Sequence, residues 1–363
     1  MKQVAKMRVL QIISSATTSG AEKHVLNLSE LLTRNGHYVE LICPPNGWLG
    51  EQCRAIGIPV FESEMRGAGW GRTLGLAMRR IREAKIDVVH SHLTRATYFG
   101  AISGLTRRRP AVATVHIANH DEIYRRMAFG RNRLVAVSNF VRGILHGRGI
   151  KDQFIDTVYN GTDFTDLQYN EATPVWQEFG IPQDRKVIGM VGRVCREKGH
   201  LLMVEALSDV VKRDPLAHVM FVGRLESQFE PELMEAVASA NIESNVTFAG
   251  ERHDVPRLLD SFAFTAMPSH QETFGVAAIE AMARKKAVVA SRVGGLTEVV
   301  RHKQTGLLID LRPDELSEAM KFMLQNESER HQMGLYGRAL VEQRFTLKEM
   351  VRRLEGIYER SIS

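Results

Sequence analysis

Cysteine is scarce in this chain: three thiols, Cys43, Cys53 and Cys195, occur in 363 residues. That is too few, and odd in number, for a disulfide framework, so the sequence points to a reducing compartment with buried or incidental thiols. Long apolar runs are missing as well; none approaches the ~18 residues that a membrane-spanning helix needs. The first fifteen residues carry Lys2, Lys6 and Arg8 before a short apolar patch, without a long apolar core or a cleavage site. They read as a first strand rather than a signal peptide, and the protein is expected to be cytoplasmic. D-x-D occurs nowhere, which removes the simplest carboxylate pattern for holding Mg²⁺ or Mn²⁺ on a diphosphate. Neither G-x-G-x-x-G nor G-x-x-x-x-G-K-[ST] occurs. There is no fixed-period repeat and no low-complexity tract.

What is present is an ordinary globular composition, 44% hydrophobic and 25% charged, long enough for about two domains. The net charge of +6 is unevenly spread. Residues 1–163 hold 23 Lys and Arg against 13 Asp and Glu, an excess of +10; residues 164–363 hold 25 against 29, a balance of −4. The first half is therefore expected to meet something anionic.

Short β-branched runs alternate with amphipathic stretches along both halves. Arg8–Ser14, Tyr38–Cys43, Ile58–Phe61, Asp87–His90, Ala111–His116, Arg133–Ser138 and Ile155–Tyr159 read as strands, with helices at Gly20–Asn35, Gly71–Ala84, Thr94–Thr106 and Asn139–Gly149. The rhythm stops in a polar stretch, Thr162 to Thr173. It restarts at Lys186–Val191 and continues through His218–Val222, Val246–Phe248, Phe262–Met267, Ala287–Ser291 and Gly306–Ile309. Helices are expected there at Glu197–Lys212, Glu230–Ala240, Asp254–Asp260, Phe274–Ala283 and Pro313–Gln325, and the tail from Thr346 reads as one more. The expected class is α/β: two Rossmann-like, doubly wound domains facing each other across a cleft, with ligands at the carboxyl ends of the strands. The domains are placed at 1–163 and 164–345, followed by a C-terminal helix at 346–363.

Five clusters carry candidate chemistry. After the strand KVIGMV comes Gly192-Arg193-Val194-Cys195-Arg196-Glu197-Lys198-Gly199, in which two cations, Arg193 and Lys198, precede a helix start. Cations beside free helix N–H groups make a phosphate site, although the same residues also fit solvated loop charges. Next is Glu272-Thr273-Phe274-Gly275-Val276 leading to Glu280. Here Thr273 is a candidate N-cap, and Gly275 lets a ligand approach the backbone. Eight helical residues span ~12 Å, so Glu272 and Glu280 suit two parts of an elongated ligand better than one glycosidic bond; an ordinary surface helix is the plain alternative. Ser291-Arg292-Val293-Gly294-Gly295 is a third strand–glycine–helix turn, and Thr17-Thr18-Ser19-Gly20-Ala21-Glu22 a small, flexible loop before the first helix. Finally, His116 ends a strand, where it fits either a hydroxyl- or anion-binding role or a structural one. His90 and His92 form a similar pair, with no Cys or carboxylate at zinc-ligand spacing, so no metal site is assigned.

Taken together and in this order, these pieces resemble glycosyltransferase family 4, the glycosyl transferases group 1, with the GT-B fold. The resemblance rests on SGAE (Ser19–Glu22), the strand ending in His116, AVSNFV, YNGTD, VGRVCREKG, PSHQETFGVAAIEAMA, SRVGGLTEVV and TGLLI. It implies retaining transfer of a sugar from a nucleotide-sugar donor, a UDP-sugar in preference to GDP-mannose. By this likeness Arg193 and Lys198 bind the diphosphate and stabilise the leaving nucleotide, and Glu280 holds the ribose. Glu272 contacts the donor sugar, with Thr273 beside it and the backbone of Phe274, Gly275 and Val276. His116 lies near the donor sugar, Gly20 closes on the phosphates, and the last helix returns to the first domain. Catalytic roles fall to His116, Arg193, Lys198 and Glu272. With D-x-D absent, no metal and no cofactor is expected, and fixed cations neutralise the leaving group.

In this family the N-terminal domain usually faces the acceptor. Its basic stretches, Gly69–Arg80 and Thr97–Arg109, fit a lipid-linked, lipopolysaccharide or other polysaccharide acceptor and peripheral association with the inner face of the cytoplasmic membrane; solvated helix faces are the alternative. Other readings are a nucleotide-sugar epimerase of the same fold, a phosphorylase, a transferase with a small soluble acceptor and a non-catalytic subunit. Nucleic acid is not an expected partner, because the basic half lacks interleaved aromatics and recognised motifs.

Overall fold

The structure, a computed structural model, describes residues 5–117, 121–163 and 174–363. The chain forms two compact units: Met1–Gly161 with Leu347–Ser363, and Thr162–Thr346. The polar stretch at 164–173 lies outside the described residues. Within the second unit the Thr162 N–H donates to the Phe345 carbonyl at 2.9 Å, and Thr162 forms a parallel bridge with Thr346. The chain thus enters and leaves that unit at adjacent points.

In the first unit seven parallel strands form one sheet. They are β1 (Arg8–Ile13), β2 (Tyr38–Cys43), β3 (Val60–Glu62), β4 (Val88–His92), β5 (Ala111–Val115), β6 (Arg133–Ala136) and β7 (Ile155–Thr157), in spatial order β3-β2-β1-β4-β5-β6-β7. The second unit holds β8 (Lys186–Val191), β9 (Ala217–Val222), β10 (Val246–Gly250), β11 (Phe264–Met267), β12 (Val288–Ser291) and β13 (Gly306–Ile309), in order β10-β9-β8-β11-β12-β13. All pairings are parallel, and β1 and β4 are wholly or almost wholly buried, with the polar side chains of Gln11, His90, Ser91 and His92 inside among the apolar ones. Each sheet reverses its order once, between β1 and β4 and between β8 and β11. A crevice opens at the carboxyl ends of the strands at such a point.

The cores explain the helices. Val25, Leu28 and Leu32 of the helix Gly20–Arg34 pack with Val9 and Ile13 of β1. The same cluster takes Met350, Val351, Leu354, Ile357 and Tyr358 from the last helix, Leu347–Ile362. In the second unit Met203, Leu207 and Val210 of helix His200–Val211 pack with Ile188, Val219 and Phe221.

Four α-helical segments were not legible as such: Trp48–Ala55, Ile123–Met127, Val175–Glu178 and the 18-residue helix Glu327–Arg344. The last has little amphipathic pattern. It is held through Gly334 and Gly337, where an added Cβ would meet the Lys285 carbonyl at 2.0 Å and the Met282 side chain at 2.9 Å. Backbone contact of that kind leaves no hydrophobic periodicity to read. No helix among the described residues is long and apolar enough to cross a membrane.

Candidate active site

In the second unit three loops at the carboxyl ends of β8, β11 and β12 are tied into one surface. The His270 N–H donates to the Glu197 carbonyl at 2.8 Å, joining the first loop to the second. The Gly295 N–H donates to the Glu272 carbonyl at 2.9 Å, and Ser291 Oγ to the Ser269 carbonyl at 2.6 Å, joining the second to the third. Glycine is required where backbones cross. Gly199 has φ +81°, and a Cβ there would lie 1.9 Å from the Pro268 carbonyl oxygen. Only glycine meets both demands without strain.

The side chains assigned from sequence fall on this surface. Lys198 Nζ donates to Glu272 Oε2 at 2.6 Å, so the expected diphosphate cation and the expected sugar carboxylate are partners. Both are mostly shielded, with side-chain exposures of 26% and 13%. Arg193 is half exposed and pairs with Glu226. Phe274 and Gly275 are buried, and Val276 opens the helix Val276–Ala283 that carries Glu280. Two details correct the sequence reading. The N-cap of this helix is Gly275, in the left-handed region, and not Thr273. The helix begins at Val276, so Glu272 lies on the loop and the helical-span argument does not measure its separation from Glu280. Similarly, Lys198 closes a 3-10 turn, Arg196–Lys198, and the helix proper starts at His200.

In the first unit the loop after β1 is not the flexible segment its composition suggested. Glu22, 1% exposed, accepts from Thr17 Oγ1 at 3.1 Å and from Ser19 Oγ. Gly20 is the first residue of the helix that follows, with Ser19 as N-cap.

Beside that loop sits a histidine cluster. His116 follows β5, and His90 and His92 lie on the adjacent strand β4. His92 Nε2–H donates to Gln11 Oε1 at 2.7 Å, which leaves His92 Nδ1 to accept from His116 Nε2–H at 3.2 Å. His90 accepts from the Tyr358 hydroxyl at 2.6 Å and donates to Thr114 Oγ1 at 2.8 Å. The fourth member, His24, was missed in the sequence because it lies inside a helix; it donates from Nδ1 to Asn160 Oδ1 at 2.9 Å. The signal available was a histidine on the helix face that also carries Val25 and Leu28. Asn160 belongs to YNGTD, which gives that motif a structural reason.

Burial holds all four imidazoles neutral. Burial pushes His24 down to about 4 against its hydrogen bond to Asn160, and His90, His92 and His116 lie well below their ordinary value, first by burial and then by the neighbouring imidazoles. A neutral His116 suits a hydroxyl and not the neutralisation of an anion. His24, His92 and His116 each offer a nitrogen within 4.8 Å of the others, so they could hold a metal ion that chain spacing did not indicate. Cys195, Glu197 and Glu226 are similarly close. There, however, Glu226 is engaged by Arg193, and burial pushes the Cys195 thiol up.

The cluster makes a stability prediction. The unfolded chain protonates these histidines near pH 6.5, whereas folded His24, and His200 in the other unit, resist down to about pH 4. The unfolded state then binds more protons, so stability is full above pH 6.5 and falls as pH drops toward 4. Each such histidine contributes up to ~1.4 kcal/mol per pH unit in that window. Urea unfolding at pH 7 and at pH 5.5 should show a lower midpoint at 5.5; equal midpoints would contradict neutral burial.

Comparison with known proteins agrees with this architecture. The profile described as Glycosyl transferases group 1 matches residues 175–340, and that of Glycosyltransferase Family 4 matches residues 18–166. A D-inositol 3-phosphate glycosyltransferase of Nocardia farcinica is 28% identical over 279 residues, covering 69% of this chain and 61% of that protein. An N-acetyl-alpha-D-glucosaminyl L-malate synthase of Bacillus anthracis is 28% identical over 229 residues, covering 62% and 58%. The chain thus spans about three-fifths of the length of these relatives. Among solved structures, Anabaena HepE in complex with UDP superposes with a TM-score of 0.84 at 22% identity, covering 96% of this chain and 98% of that one. Two switch-point sheets in this order, and family profiles that between them take in most of both units, make the chain a member of glycosyltransferase family 4 with the GT-B fold.

Proposed function

We propose that the protein is a retaining glycosyltransferase that takes its sugar from a nucleoside diphosphate donor. The observation that carries this reading is the second unit's loop surface, where Lys198 and Arg193 lie at the carboxyl end of β8 on the switch-point side of the sheet. A nucleoside diphosphate leaves with developing negative charge. Fixed cations aimed at it act mainly in the transition state. Donor binding would draw Lys198 from Glu272 and Arg193 from Glu226, freeing Glu272 to accept hydrogen bonds from the donor sugar. Glu280 holds the ribose. The two cations carry the charge neutralisation, so this reading needs no metal on the diphosphate.

Retention follows by attack on the face from which the phosphate departs. In this reading Glu272, once released by Lys198, is taken up by hydrogen bonds from the donor sugar's hydroxyls, which disfavours a covalent sugar intermediate on it. The acceptor oxygen bonds to the anomeric carbon as the bond from that carbon to the phosphate oxygen breaks. The acceptor's proton passes to the departing phosphate oxygen. His116, held neutral by burial, serves a hydroxyl.

The acceptor reading comes from the first unit. Two adjoining pockets, of about 530 and 720 Å³, share Met65, Arg66 and Arg95 at the carboxyl ends of the strands. Neither arginine has a carboxylate within ion-pair distance among the described residues, so the pockets suit an acceptor bearing a phosphate or carboxylate. The names of the Nocardia and Bacillus relatives, with inositol 3-phosphate and malate, support an anionic acceptor. Trp70, 38% exposed beside the second pocket, is an apolar neighbour that a lipid-linked or lipopolysaccharide acceptor would cover.

UDP is the expected nucleotide, with GDP as rival; HepE bound to UDP supports the first. A thermal-shift panel of UDP, GDP, CDP and their sugar derivatives tests it. A true donor at 100 times its Kd stabilises by about 2.7 kcal/mol. No shift with any nucleotide would remove the reading. Given the donor so identified, nucleotide release should be faster with phosphorylated or carboxylated acceptors, free or lipid-linked, than with neutral sugars; the reverse order removes the acceptor assignment.

A further inference from the structure

We infer that the second unit carries an anion site at the end of its sheet opposite the donor loops, built for a small phosphate-bearing ligand. At the amino ends of β8 and β11 lies a cavity of about 320 Å³. Arg185, Lys186, Lys285, Lys286, Arg330 and His331 line it, against a single acid, Glu327. This runs against the composition of that half, in which acids outnumber Lys and Arg by 29 to 25. Six basic side chains gathered on one hollow of an acidic half are not explained by bulk charge.

Their internal neutralisation is incomplete. Lys186 Nζ pairs with Asp214 at 2.9 Å. Arg330 reaches Glu327 only at 3.5 Å, with that carboxylate 86% exposed, and otherwise donates to the Met323 carbonyl at 2.6 Å. Arg185 donates to the Pro215 carbonyl. Lys286 Nζ donates to the Asp260 and Phe262 carbonyls, both at 2.8 Å, while the Asp260 carboxylate is engaged by Arg284. Among the described residues, Arg185, Lys285 and Lys286 have no carboxylate within ion-pair distance. Burial, with Arg330 and Arg284 nearby, pushes the Lys286 ammonium below its usual range. An anion in the cavity would relieve that repulsion.

Guanidinium forks and lysine ammonium groups together suit a phosphate better than a carboxylate, since the fork takes two oxygens at once and the ammonium groups meet the remaining charge. The volume lies at the lower limit for small-molecule sites, which favours inorganic diphosphate or a phosphorylated small metabolite over a whole nucleotide sugar. The cavity and the donor loops are separate. β8 runs from Lys186 at the cavity to Val191 before Gly192 and Arg193, and six strand residues span ~20 Å. They are also linked, because β8, β11 and the helix Val276–Ala283 each reach from one to the other.

The test uses the full chain and inorganic diphosphate at fixed ionic strength. Because diphosphate would also meet Lys198, the Lys198→Ala variant is titrated first by calorimetry, then the same variant carrying Lys285→Glu or Arg330→Gln. One diphosphate should still bind per Lys198→Ala chain, and each added substitution should weaken it about tenfold or more, in line with the loss of one charge-assisted contact. Circular dichroism confirms that each variant is folded. No binding to folded Lys198→Ala, or binding that both added substitutions leave unchanged, would overturn the site. Neither result touches the donor assignment, which the nucleotide panel tests separately.

Discussion

Replacing Lys198 by alanine should cost about 10²–10³-fold in kcat, equivalent to ~2.7–4 kcal/mol of transition-state stabilisation, while the protein stays folded. The side chain's ammonium is held 2.6 Å from Glu272 on a loop surface joined by two backbone hydrogen bonds and one from Ser291 Oγ. It needs little reorganisation when charge develops on the leaving phosphate. A cation preset in this way stabilises the transition state more than the bound donor, so kcat should fall more than donor KM rises. Glu272→Gln separates the two roles. It keeps the lysine and removes the carboxylate, so it should raise KM for the sugar donor more than it raises Ki for a donor-competitive free nucleotide. Near-normal turnover in folded Lys198→Ala would sink the leaving-group assignment.

Gly199→Ala is expected to destabilise the second unit strongly. The residue sits at φ +81°, and the new Cβ would lie 1.9 Å from the Pro268 carbonyl oxygen. Backbone, not a flexible side chain, is the obstacle, so the two loops must separate. The strained conformation alone costs ~1–3 kcal/mol, and the clash adds to it. Denaturant unfolding should show a loss of about 3 kcal/mol or more, with weaker nucleotide binding. Gly180→Ala is the control: φ is +64° there, but open space surrounds the position, and only about 1 kcal/mol is expected. Equal costs for the two variants would show that the loop crossing is not a tight constraint.

The two outcomes bear on different levels of the same loop. Gly192, Arg193, Lys198 and Gly199 follow one strand in sequence, and their residue types alone suggested a turn with cations beside a helix start. Their partners are remote: Glu226, Glu272 and Pro268 come from other loops. That is why Lys198 and Glu272 read as two separate contacts to a ligand, and why their pairing in the protein went unseen. The capping error has the same origin. Threonine is a good N-cap in isolation, but the packing of Gly275 against Leu296 and the tie from Gly295 to Glu272 set the helix start two residues later.

The histidines show the division most clearly. His90, His92 and His116 could be placed at strand ends from periodicity, since alternating βα units put strand ends and loops on one edge. Nothing along the chain joins them to His24, Gln11 or Asn160, which are brought in from a helix, from β1 and from the end of the unit. Nor does the sequence show that these imidazoles are neutral, because that depends on burial.

What the sequence determined by itself is local or cumulative. Apolar periodicity set the strands and most helices; the order of βα units set two parallel sheets; short loops after β8, β11 and β12 carried enough residue-type information to identify the family. What only the tertiary structure decided are the ion pairs, the protonation of the histidines, the helix Glu327–Arg344 held by glycine contacts, and the cationic cavity made by segments from 185 to 331. The physical reason is one of range. Propensity and hydrophobic period act between neighbours, whereas charge pairing, desolvation and steric fit depend on which distant residues the fold brings together.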